Sequence, residues 1–381
     1  MNTTALAGAR IFDGSRWHDG AAVLIRDGMI AGIVPHSDLP ADAAVEEVDG
    51  MLAPGFIDAQ VNGGGGVLLN DRPTAEAMDL IAAAHRPFGT CQLLPTLVTT
   101  DASTMQAALA AVRFAGPGVA GLHLEGPHLA PARRGIHDER LMRRMTDDDV
   151  DMLLSADVAR LLVTVAPEQV DAAQVRRLVD GGVIVSLGHS DATYEQAMAL
   201  FEAGATGATH LFNAMSPLQS RAGGLVGAAL DAGLAWCGII ADGFHVGTPA
   251  LSIALRAKRP PGRLFLVTDA MPTVGSDTAS FILGGRTITR HGRKLTWRSE
   301  TGADVLAGAH LDMASAVKFC VAALGLPLDE ALRMASLHPA MFLRLDDTHG
   351  RIASGYAADL VQLGTDLRVL RTWVGGRQPP P

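Results

Sequence analysis

Cysteine is scarce in this chain: Cys91, Cys237 and Cys320 are odd in number and far apart. No pair has the spacing of metal ligands or of a redox couple, so no disulfide framework can be drawn, and buried thiols in a reducing compartment are expected. Lysine is equally rare, with only Lys258, Lys294 and Lys318. No stretch of about 18 apolar residues is free of charge, which excludes a membrane-spanning helix. Residues 1–10 lack the basic-then-apolar order of a signal peptide. There is also no block of positive charge. The 31 basic and 40 acidic residues leave a net charge of −9, spread along the sequence, and no basic face for nucleic acid. A cytoplasmic, soluble protein is expected. Mild acidity still permits a phosphorylated small substrate, because one local Arg or His can hold a phosphate.

What the chain does have is enough apolar residue, 48% of 381, to bury a large core. Its 42 Gly and 20 Pro stay well below the roughly 25–30% typical of low-complexity chains. The first 50 residues read as β-structure, with runs at 22–26 and 29–33 flanking the hairpin signal Asp27-Gly28. From Pro54 the rhythm changes to short apolar strands alternating with Ala-rich segments of helical period. Eight strands are expected, at 56–61, 91–97, 119–124, 160–165, 183–187, 208–211, 236–240 and 264–268. Thr74, Asp101 and Thr146 stand as N-caps of intervening helices, whereas the Gly-rich crossover after strand six has no well-defined helix. Eight such repeats fit a (β/α)8 TIM-like barrel better than a doubly wound sheet. A polar β-hairpin insert is expected over 280–302, then helices near 310–324 and 328–341. β-signatures return at 350–352, 358–361 and 367–374. The expected fold class is α/β, with residues 54–344 as a catalytic barrel. Residues 1–53 plus 345–381 would form a small β-sandwich from both chain termini.

Working residues of such barrels sit at the C-terminal ends of strands. Here those ends carry Asp58, Gln60 and Asn62; His123, Glu125 and His128; His189; His210 and Asn213; Asp242 and His245; and Asp269. One such histidine would most simply be a satisfied core residue; so many strands ending this way point to a site. Glu125, His189 and His210 come from neighbouring strands, and two imidazoles with one carboxylate leave a fourth zinc position open to water. Asp269 on the last strand is the natural base for that water; an Asx turn closing the strand would also account for Thr268-Asp269, but the metal candidates on the same rim put the functional reading ahead.

The segments Pro54-Gly55-Phe56-Ile57-Asp58, Gly121-Leu122-His123-Leu124-Glu125-Gly126-Pro127, Gly188-His189-Ser190-Asp191-Ala192, Thr209-His210-Leu211-Phe212-Asn213-Ala214-Met215 and Val267-Thr268-Asp269-Ala270 resemble the amidohydrolase superfamily. Glu-Gly-Pro, Leu-Phe-Asn-Ala-Met and Ala241-Asp242-Gly243-Phe244-His245 together resemble the branch that deacetylates N-acetylamino sugar 6-phosphates. The resemblance runs from Ala53 to the C-terminus, through His338-Pro339-Ala340 and Gly355-Tyr356-Ala357-Ala358-Asp359. It implies metal-assisted hydrolysis of the acetamide of N-acetyl-D-glucosamine 6-phosphate, with the galacto epimer as the alternative. By the same resemblance, Glu125, His189 and His210 correspond to metal ligands and Asp269 to the catalytic acid/base. His137 matches the histidine that holds and polarises the acetyl carbonyl. Arg221 and His245 match phosphate binders, aided by backbone groups at Asn213 and Ala214, and Leu306 belongs to a substrate loop. A homodimer with one divalent ion per subunit is implied, with Zn2+ ahead of Fe2+, Co2+ or Mn2+.

One departure bears on the metal count. Much of the superfamily ends strand one with His-x-His, which binds a second metal; this chain has Gln60-Val61-Asn62, and neutral amides are poor zinc ligands. None of the three lysines ends strand four, so a carbamylated-lysine bridge is excluded. Three rival readings remain. Gly188-His189-Ser190-Asp191-Ala192 loosely mimics a serine nucleophile elbow, though its fifth position is Ala. Gly63-Gly64-Gly65-Gly66 has no following Lys-Ser/Thr and reads better as a turn than as a nucleotide loop. A non-catalytic phosphosugar-binding protein would have no use for Asp269 beside an open metal.

Overall fold

A computed structural model describes residues 3–299 and 302–378. Residues 1–2 and 379–381 of the expected terminal unit, and 300–301 of the expected insert, lie outside the described residues. All eight expected strands form, in chain order around one sheet: Phe56–Val61, Thr90–Val98, Leu122–Glu125, Leu161–Val165, Ile184–Leu187, Gly207–Ala208, Trp236–Ile239 and Leu264–Leu266. Each pairs in parallel with its sequence neighbours. Nearly all their residues are buried, as in a parallel sheet covered on both faces. Pro95 is tolerated inside the second strand because the pairing register breaks between Leu93 and Pro95. The sixth strand is shorter than its apolar run because His210 already turns at φ 34°, and the eighth stops short of Asp269 at φ 51°.

Closure between the last strand and the first relies on one buried carboxylate. Asp58 accepts the Thr268 hydroxyl at 2.5 Å and the amides of Thr268 and Gln60 at 3.2 Å each. Backbone bonds from Asp269 N to Gln60 O at 3.0 Å and from Asn62 N to Ala270 O at 2.9 Å complete the seam. The same contacts that shut the barrel therefore set Gln60, Asn62 and Asp269 side by side.

The three expected N-caps all accept a hydrogen bond from the first helical turn: Thr74 from Ala77, Asp101 from Thr104, and Thr146 from Asp149. Thr146 and Asp149 form a reciprocal capping box. The Gly-rich crossover does hold a helix, Gly224–Asp231, which is buried along almost its whole length. Tertiary packing replaces propensity there, since a Cβ on Gly223 would meet the Tyr194 ring at 2.7 Å. The expected helix over 328–341 breaks at Ser336 into Leu328–Ala335 and Leu337–Phe342.

The termini build two sheets. One has the order Met29–Pro35, Ala21–Arg26, Thr3–Ala7, Ala44–Glu47; the other runs Val369–Trp373, Leu360–Leu363, Met51–Pro54, Arg10–Phe12, Trp17–His18. Asp27 and Gly28, at φ 51° and 80°, make the expected tight hairpin. Leu6, Val23, Ile25, Ile30, Leu52, Leu360 and Trp373 pack a shared core. Residues 350–352 form no strand, but Ile352 joins that core. The insert is richer than a hairpin. Ser280–Leu283, Arg286–His291, Lys294–Arg298 and Asp304–Leu306 make a four-stranded antiparallel sheet, whose Leu283, Ile288 and Leu295 pack on Ile136 and Met271 at the barrel mouth.

Replacing Asp58 by Ala removes the acceptor of the two buried amides of Thr268 and Gln60, at roughly 1–3 kcal/mol for each unsatisfied group. The Asp58→Ala variant is expected to unfold at a clearly lower urea concentration than wild type. An unchanged midpoint would show that the seam does not depend on this carboxylate.

Candidate active site

Glu125 ends the third strand, and His189 and His210 follow the fifth and sixth. His189 and His210 occupy the left-handed region, at φ 47° and 34°, where non-glycine residues are rarely found and where strain commonly marks function. These turns swing the two imidazoles back over the mouth. His210 Nε2 lies 2.9 Å and His189 Nε2 3.1 Å from Glu125 Oε1, and the two Nε2 atoms are 3.1 Å apart. All three side chains are buried. Among the described residues this is the one group of three such side chains converging on a common point.

The donor set fits a divalent cation. His189 Nδ1 lies 2.8 Å from the Arg133 carbonyl, which can only accept, so Nδ1 carries a proton. The neutral ring then turns a lone pair from Nε2 toward a carboxylate oxygen and a second imidazole nitrogen. Acceptors this close require a proton or a cation between them. Ligand bonds of roughly 2.0 Å at tetrahedral angles give edges of about 3.3 Å, near the separations seen here. Burial alone would raise the Glu125 carboxyl, but positive charge on the His189 and His210 side of it outweighs burial and holds it well below the usual range.

Asp269, also left-handed and buried, stands beside this cluster. Its Oδ1 accepts from Asn62 Nδ2 at 2.7 Å and Gln60 Nε2 at 3.3 Å, while Gln60 Nε2 also lies 3.1 Å from Glu125 Oε1. The two carboxamides thus act as neutral donors where a second cation would otherwise be needed to hold Glu125 and Asp269 together. Burial, reinforced by the charge of Glu125, pushes the Asp269 carboxyl up to about 6. Across the mouth, His137 Nε2 is 3.8 Å from Glu125 Oε2. Burial, with the neighbouring His189, pushes the His137 imidazole down to about 3, so it is neutral near pH 7.

Glu125, His137, His189, His210, Asn213, Ala214, His245, Asp269 and Leu306 line one cavity together with Asn62, so nine of the ten metal, catalytic and substrate residues expected from the sequence meet there. Also on its wall, His245 Nδ1 lies 2.6 Å from Asp242, and its buried Nε2 has no partner. The Asn213 amide is already bonded to the His210 carbonyl at 2.9 Å. Arg221 is the exception: it lies exposed on the segment before Gly224–Asp231 and does not line the cavity. His123 sits beneath the site, 2.7 Å from the Thr164 hydroxyl, and His128 bonds the Arg143 carbonyl at 3.1 Å. Thr99, which no sequence motif marks, contacts His137 at 2.8 Å.

Two rival readings lose their footing. The Ser190 hydroxyl sits 2.8 Å from Glu168 and is not held by an imidazole as a nucleophile would be. The amides of Gly65 and Gly66 donate to the Val274 and Pro272 carbonyls, which leaves no phosphate cradle.

Comparison with known proteins agrees with this geometry. The chain matches the amidohydrolase family over residues 51–378 and the NagA composite domain over residues 4–52. It is 43% identical to an N-acetylgalactosamine-6-phosphate deacetylase of Shewanella sp. (strain ANA-3), over 97% of this chain and 94% of the relative. It is 36% identical to an enzyme of the same name from Escherichia coli O157:H7, over 98% and 99%. The crystal structure of N-acetylglucosamine-6-phosphate deacetylase from Pasteurella multocida superposes with a TM-score of 0.93 at 34% identity, covering all of both chains. With a barrel mouth of this composition and a match across most of its length, the chain belongs to the amidohydrolase family.

Proposed function

We propose that the chain hydrolyses the acetamide of N-acetyl-D-glucosamine 6-phosphate to D-glucosamine 6-phosphate and acetate. The observation that carries this reading is the convergence of Glu125, His189 and His210 with Asp269 and His137 on one buried rim. The galacto epimer is the second reading, favoured by the two bacterial relatives at 43% and 36% identity. The assembly is a homodimer, and residues 54–344 form the catalytic unit, with 1–53 and 345–381 as its companion. Among the described residues no helix is long and apolar enough to cross a membrane, which is consistent with the cytoplasmic location we assign.

Glu125, His189 and His210 would hold one divalent ion, for which zinc suits two imidazoles and one carboxylate. When bound, that ion supplies Lewis-acid chemistry that acidifies water and polarises a carbonyl. The protein's own groups do the rest. His137 Nε2 faces the mouth and donates to the acetyl oxygen. Asp269, bonded through Oδ1 to Asn62, keeps Oδ2 for proton transfer. It takes the proton of the attacking water and returns it to the amide nitrogen as the C–N bond breaks, so that acetate and amine leave. A buried carboxylate with one oxygen free can carry the proton in both directions of transfer. His245, fixed by Asp242, gives its free Nε2 to the phosphate together with the Ala214 amide; Leu306 closes the wall. Arg221 reaches the phosphate only if its exposed segment folds over the mouth, or if a second copy supplies it.

Asp269→Asn is expected to keep the metal and bind substrate while kcat falls roughly 10²–10⁴-fold; metal content and steady-state rates check both halves, and a near-wild-type kcat would remove Asp269 from its role. His245→Gln should raise KM for the phosphorylated sugar by roughly tenfold or more, the worth of one charge-assisted hydrogen bond, with little change for the unphosphorylated sugar. Arg221→Ala tested on the same pair shows whether Arg221 shares that contact; equal effects on both sugars would make it structural. Acetate release from the gluco and galacto phosphates, compared as kcat/KM, decides the epimer.

A further inference from the structure

His137 can donate to a carbonyl only in the tautomer that keeps its proton on Nε2. The structure shows what selects that tautomer. Thr99 follows the second barrel strand, is buried, and places its Oγ1 2.8 Å from His137 Nδ1. Its backbone N–H, which can only donate, points at the same Nδ1 from 3.4 Å. Were Nδ1 protonated, the Thr99 hydroxyl would have to turn to the Glu125 carbonyl, 3.3 Å away. The buried Thr99 N–H would then face another N–H and lose its acceptor, and orphaned buried N–H groups are rarer than under-satisfied carbonyls. The opposite side of the ring agrees. Nε2 is 3.8 Å from Glu125 Oε2, an approach that favours a proton over a lone pair.

Room for this contact is built into the Glu-Gly-Pro segment. Gly126 sits at φ 93°, and a Cβ there would lie 2.1 Å from Thr99 Oγ1. Any side chain would push the hydroxyl away from His137. Thr99 and Gly126 thus act as a pair, one supplying the donor and the other the space.

We propose that Thr99 is a positioning residue that holds His137 as the Nε2–H tautomer, so that the ring meets the substrate carbonyl as a hydrogen-bond donor. This rests on the reading of His137 as the carbonyl-binding group. Thr99 itself is not among the residues that line the cavity. Its hydroxyl donates to Nδ1, and the effect is felt on the far side of the ring.

The test is nitrogen NMR of the histidine rings in the zinc-loaded enzyme, with steady-state kinetics alongside. Wild type is expected to show His137 with an unprotonated Nδ1 and a protonated Nε2. In Thr99→Val that assignment should become mixed, with kcat falling about tenfold, the worth of one hydrogen bond, and KM little changed. Thr99→Ser keeps the hydroxyl and should restore both. A wild-type ring protonated on Nδ1 overturns the proposal, whether or not the valine variant folds. So does a valine variant that keeps both the Nε2–H tautomer and the wild-type kcat. His137→Asn separates the two layers: full activity in that variant would sink the role of His137, while the tautomer measurement would still report on Thr99.

Discussion

Everything at the barrel mouth answers to one constraint: three atoms able to ligate a cation, Glu125 Oε1, His189 Nε2 and His210 Nε2, are held about 3 Å apart out of water. Such crowding is repulsive unless positive charge sits among the three. The backbone bears part of the cost by placing both histidines in the left-handed region. The Arg133 carbonyl fixes the orientation and tautomer of His189, the kind of outer contact that tunes a metal ligand. Gln60 and Asn62 then hold Glu125 and Asp269 with neutral donors. A second cation would have to displace this network, and from the first strand it would gain only amide oxygens as ligands.

The rest of the molecule supports that arrangement from below and above. Below, Asp58 joins the last strand to the first and so carries Asp269 to the side of Gln60. Above, the insert sheet packs Leu283, Ile288 and Leu295 against Ile136 and Met271, and its last strand brings Leu306 to the cavity wall. The cavity wall also carries His245, whose Nε2 is buried and free.

Much of this was legible in the sequence because burial on both faces leaves a plain signal. The eight barrel strands read as apolar runs, and polar side chains at their ends stood out against them. Thr74, Asp101 and Thr146 were recognisable as caps because their chemistry is local. Features that depend on distant packing were not legible. The helix Gly224–Asp231 exists because glycines let it approach Tyr194, which no propensity reveals. The insert's fourth strand, Asp304–Leu306, follows a turn and is only three residues long. Thr99 carries no motif of its own; the one trace it leaves is the glycine after Glu125, a position where a Cβ would strike its hydroxyl. Arg221 shows the converse: a residue singled out by motif that the fold leaves on the surface, outside the cavity.

On the proposed reading, one ion held by Glu125, His189 and His210 suffices for hydrolysis because Gln60 and Asn62 occupy the place of a second. Titrating zinc into metal-stripped protein while measuring both bound metal and acetate release from N-acetylglucosamine 6-phosphate tests it directly. Activity should rise linearly and break at one equivalent per chain. Activity that climbs with a second tightly held equivalent would contradict the account and make Gln60 and Asn62 ligands.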